Sequence, residues 1–143
     1  MNEKLKSEYE KLAKKYNLPS FEFMDNEFEI SVLKVDESGI LIKAILRMIL
    51  SKLGTFLNYF EPVFNPSPSM HSMTEMNNLK EAEKEEIVIL YKKISIIYHQ
   101  ILYKELENEK SIADFIKDFC KSWPSTKNEV IKSLKSIENA WKN

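Results

Sequence analysis

The chain has 143 residues, 43% of them hydrophobic and 30% charged, the proportions of a folded globular protein rather than a disordered one. Its 21 basic and 22 acidic residues leave a formal net charge of −1, which excludes the overall positive field that holds proteins on nucleic acid or anionic lipid. A single cysteine, Cys120, excludes an intrachain disulfide framework, and two glycines, Gly39 and Gly54, exclude the glycine-rich loops that cradle phosphates.

From the N-terminus, residues 1–15 are charged and lack the apolar run of a secretion signal, so a soluble, cytoplasmic chain is expected. Leu5, Tyr9, Leu12 and Tyr16 recur at helical spacing between lysines and glutamates and predict a helix of about four turns, stopped by Asn17 and Pro19. Two patterns compete in the next segment. Phe21, Phe23, Phe28, Ile30 and Val32 alternate like a β-hairpin across residues 21–33, whereas Phe21, Met24 and Phe28 keep helical spacing behind a capping Ser20. An isolated hairpin is marginal, which favours a short helix followed by extended chain.

Asp36, Glu37 and Ser38 offer caps to a long apolar segment, Ile40 to Phe60, expected as a helix over 38–61. Its length is close to that of a membrane span. Lys43, Arg47 and Lys52 lie inside it, however, each costing about 2.5–3.5 kcal/mol near a bilayer centre. No membrane is expected as a partner. Lys43, Arg47, Ser51, Gly54 and Asn58 form one narrow polar stripe, and the remaining apolar circumference calls for burial in a bundle or an interface.

Residues 61–69 carry Pro62, Pro66 and Pro68 and read as the main linker. Ser72 and Glu75 have the spacing of a capping box ahead of the longest helix, expected over 79–107. Ile87, Leu90, Tyr91, Ile94, Ile97, Tyr98, Ile101 and Leu102 give that helix a broad core face. Ile89, Ile96 and Tyr103 repeat every seven residues on its opposite side, and a second face asks for a second neighbour. Ser111 and Ser125 are expected to cap two further amphipathic helices over 111–122 and 126–142, with Pro124 separating them.

Three groups of residues could carry a function. Lys43 and Arg47, one turn apart in an apolar helix, need a carboxylate partner or an anionic ligand, with His99 as a third candidate for the same site. Met70, His71, Met73 and Met76 have a ligand chemistry suited to Cu(I), although methionines at this spacing also dock a helix on a core. Ile89, Ile96 and Tyr103 offer an interface. Cys120 continues the apolar positions Ile112 and Ile116 and reads as a small buried hydrophobe rather than a nucleophile.

The expectation is an all-α protein: one domain over 1–143, in which an N-terminal helix and irregular arm (1–37) precede an up-down bundle of four main helices (38–143). The function expected is non-enzymatic, a helical interaction or scaffold module that binds another protein or itself as a homodimer. An anion- or small-molecule-binding bundle is the alternative. No cofactor and no nucleic acid are expected.

Overall fold

The computed structural model describes residues 3–34, 41–63, 65 and 69–142. The fold is all-α, with bundle-like packing of six α-helices and no strand among the described residues. They are α1 (Glu3–Tyr16), α2 (Phe21–Phe28), α3 (Leu41–Phe60), α4 (Met70–Asn78), α5 (Glu81–Lys104) and α6 (Glu109–Lys142), with 3-10 turns at Ile30–Val32 and Glu61–Val63. The caps expected at Asp36, Glu37 and Ser38, and the linker prolines Pro66 and Pro68, lie outside the described residues. The chain forms two compact units, Met1–Lys52 with Gln100–Ser122 and Leu53–His99 with Trp123–Asn143.

In the first unit, α1 buries Leu5 and Tyr9 and ends where expected. Asn17 adopts a left-handed φ of 55°, and the Leu18 N–H donates to the Ala13 carbonyl at 3.0 Å, a Schellman closure with Leu18 buried behind it. The hairpin alternative over 21–33 is overturned. The Ser20 hydroxyl accepts from the Phe23 N–H at 3.1 Å, and Phe21, Met24 and Phe28 are buried together on one side of α2. Val32, which alternation would place inside, is exposed. Helical spacing won because it gathers three large side chains onto one face, where Phe28 packs beside Phe119 at 5.7 Å between ring centroids. The extended segment expected next begins instead with a 3-10 turn, entered through Glu29 at φ 56°.

In the second unit, α4 is capped by Ser69, whose hydroxyl accepts from the Ser72 N–H at 3.2 Å. The capping box expected at Ser72 and Glu75 is therefore corrected: both residues lie inside the helix and are buried. Helices α5 and α6 run antiparallel here, held at their flanks by Glu86 with Lys132 and Lys93 with Glu129, at 3.3 and 3.2 Å. Trp123 is buried against Phe56, with ring centroids 6.1 Å apart.

The largest departure from expectation concerns the C-terminal third. The two helices expected at 111–122 and 126–142 are one continuous helix of 34 residues with Pro124 inside it. Asn108 supplies the cap expected of Ser111, its side-chain oxygen accepting the Ser111 N–H at 2.8 Å. A proline in a helix interior removes the bond to the carbonyl four residues back and costs about 3 kcal/mol. Packing offsets it. Ile112, Ile116, Phe119, Trp123, Thr126, Val130 and Ser133 are all buried, their spacing alternating four and three residues straight through the proline, and Ala140 is buried seven residues further on. The exposed Pro124 ring sits off that stripe. Thr126 and Ser133 are polar, so a scan for apolar residues does not register the continuity that their burial provides.

Candidate functional site

Helix α5 is built with two apolar faces. Ile87, Leu90, Ile94 and Ile101 are buried on one side. At about 100° per residue, Ile89, Ile96 and Tyr103 fall roughly on the opposite side, and they are 68%, 61% and 54% exposed. Their seven-residue repeat keeps them in line along the helix. Between them stand Lys92, His99 and Gln100, and one turn before Ile89 stands Glu85. Where α5 runs beside α6, the Glu86–Lys132 and Lys93–Glu129 pairs occupy one flank and leave the outward stripe uncovered. Burying the exposed part of three such side chains would release roughly 1–2 kcal/mol each.

The proposed cationic site takes a different form. Arg47 is exposed, and its Nε donates to Glu105 at 2.6 Å while a terminal nitrogen contacts the same carboxylate. The carboxylate partner that the sequence demanded for Arg47 is thus supplied from the turn directly after α5. Lys43 is half-buried on α3. His99 belongs to the other compact unit, where its Nδ1 lies 2.7 Å from the Ser95 carbonyl, an acceptor that holds the ring proton on that nitrogen.

The methionine cluster also resolves into separate environments. Met70 and Met73 are 83% and 51% exposed, and Met76 is half-buried. Met70 and Met73 thus lie off the docking side of α4, whose buried residues are Ser72 and Glu75. His71 turns its Nε2 to the Glu75 carboxylate at 3.2 Å and lays its ring on Trp141, 4.8 Å between centroids. The same carboxylate accepts from the Trp141 indole N–H at 3.1 Å. Glu75 thereby ties α4 to the end of α6, and the Asn78 side chain adds a second tie by donating to the Ala140 carbonyl at 2.9 Å. The sequence reading missed this junction, because Glu75 carried the signal of a helix cap and a buried carboxylate has no signature of its own. No group of three or more histidine, cysteine, aspartate or glutamate side chains suited to a metal occurs among the described residues.

Cys120 is buried, with its sulfur 3.7 Å from that of Met24. Burial, and secondarily the charge of Glu27, push its thiol up to about 12, so it remains protonated and non-nucleophilic at neutral pH. Burial likewise raises the Tyr9 hydroxyl above its ordinary value, and that hydroxyl donates to the Pro19 carbonyl at 2.7 Å. Both groups serve the core of the first unit. An open depression of about 420 Å³ at the start of α6 is lined by Lys104, Lys110, Asp114 and Asp118, whose charges balance one another.

No helix among the described residues is long and apolar enough to cross a membrane. No protein-family model, curated protein or solved structure matches the chain.

Proposed function

We propose that this protein is a helical interaction module that engages a partner helix along the outward face of α5. One observation carries the reading: Ile89, Ile96 and Tyr103 stand exposed in a line at seven-residue spacing, roughly opposite the buried face of the same helix. A surface helix needs one apolar stripe to hold it on its own core. A second stripe in register, on a helix whose core face is already complete, has a use only when something covers it. The pairing of Arg47 with Glu105 supports the same reading, since that guanidinium is already answered by a carboxylate of the chain.

Site-specific photo-crosslinking tests this. A photoreactive amino acid at position 89 or 96 of the chain, expressed in its native cell, is expected to give a covalent protein adduct. The same group at the exposed Lys110, off this face, is expected to give none. Equal yields at all three positions, or no adduct at 89 and 96, overturn the reading.

A further inference from the structure

We infer that the partner of this face is a second copy of the chain, docked antiparallel with its twofold axis at Ile89. The inference rests on the reading of α5 as an interaction helix and adds to it an occupant and a register. It comes from the charges beside the stripe.

Glu85 and Lys92 are seven residues apart on one flank of the exposed stripe, two turns or about 10.5 Å along the helix. Both are exposed, and neither forms an ion pair among the described residues. Glu86 and Lys93 repeat the same spacing and the same order of charge on the other flank. The midpoints of the two pairs straddle Ile89 by half a residue each. When two helices pack face to face about a twofold axis perpendicular to both, each flank meets the same flank of its partner running the other way. An axis at Ile89 therefore sets Glu85 of each copy against Lys92 of the other, and Glu86 against Lys93.

Ile89 and Ile96 agree with that register, while Tyr103 extends past Glu81, where α5 of the other copy begins. Ile89 meets its own symmetry mate, and Ile96 lies over Ala82 of the other copy, a small exposed residue that leaves room for it. A parallel dimer does the opposite, because it brings glutamate to glutamate and lysine to lysine at equal heights. Like charges so placed are destabilising. Glu86 and Lys93 already pair with Lys132 and Glu129 within the chain, so the charges free to choose the register are Glu85 and Lys92. One helix from each copy covers less than the roughly 800 Å² per partner of a standard interface. Association is accordingly weak, with dimers forming at high micromolar concentration.

Sedimentation equilibrium of the full chain at low ionic strength, with circular dichroism to verify folding, tests the register through charge exchange. Glu85→Lys and Lys92→Glu are each expected to weaken self-association about tenfold, since every dimer contains the contact twice. Mixing the two single variants is expected to restore association as a one-to-one heterodimer, because each lysine then meets a glutamate. The double variant is expected to recover the homodimer. A wild-type dimer whose single variants are not rescued by mixing overturns the antiparallel register. A wild-type chain that stays monomeric at high micromolar concentration overturns the second copy as partner. In that case a protein adduct at positions 89 and 96 leaves the interaction reading standing, and its absence removes both.

Discussion

Helices α5 and α6 each carry a line of residues at seven-residue spacing, and the two lines have opposite fates. The line on α6 includes the polar Thr126 and Ser133 and is buried from Ile112 to Ala140. The outward line on α5 consists of Ile89, Ile96 and Tyr103 and lies open to solvent. Residue polarity alone would assign these the other way round. Periodicity establishes which side chains share a face, whereas burial depends on what packs against that face, and a hydroxyl is tolerated inside when it finds a hydrogen-bond partner.

The comparison breaks most readily at Trp123. Its side chain is fully buried against Phe56 at the centre of the α6 line, so Trp123→Ala is expected to cost about 3–5 kcal/mol, read as a lowered midpoint in urea denaturation. Unchanged stability would show that the line on α6 is not a core. Pro124 sharpens the same point with the opposite sign. In a continuous helix, Pro124→Ala restores a backbone N–H and relieves the ring's clash, a gain of about 2 kcal/mol after partial relaxation. Were the helix interrupted there, alanine would bring no gain or a loss, and thermal unfolding of the two proteins separates these outcomes. The smallest effect belongs to the outward line on α5. Ile89→Ser with Ile96→Ser is expected to change the monomer's unfolding free energy by no more than about 0.5 kcal/mol per site. The same double variant is expected to abolish self-association in sedimentation experiments.

Much of this was legible beforehand. The stop of α1 at Asn17, the core face of α5 through Ile87, Leu90, Ile94 and Ile101, though not the exposed Leu102, and the polar stripe of α3 through Arg47, Ser51 and Asn58 followed from spacing and from residues that punctuate helices. The two faces of α5 were legible for the same reason, since Ile89, Ile96 and Tyr103 are apolar on a helix of unambiguous period. The break expected at Pro124 was not borne out, because proline's local preference is a few kcal/mol and the packing of Trp123, Val130 and their neighbours exceeds it. The junction of Glu75 with His71 and Trp141 had no sequence signal at all, as it joins residues 66 positions apart.

By itself the sequence determined the helical class, the amphipathic faces and the absence of phosphate loops and disulfides, all of which depend on residue type and near-neighbour spacing. Only the tertiary structure decided that α6 runs unbroken, that Arg47 is answered by Glu105, and that Met70 and Met73 face away from the docking side of α4. Those outcomes depend on contacts between residues distant along the chain, whose combined free energy exceeds any single local propensity. The tertiary structure likewise left the outward line of α5 bare. The intrachain ion pairs to Lys132 and Glu129 hold α6 along one flank of α5, and no described element covers Ile89 and Ile96.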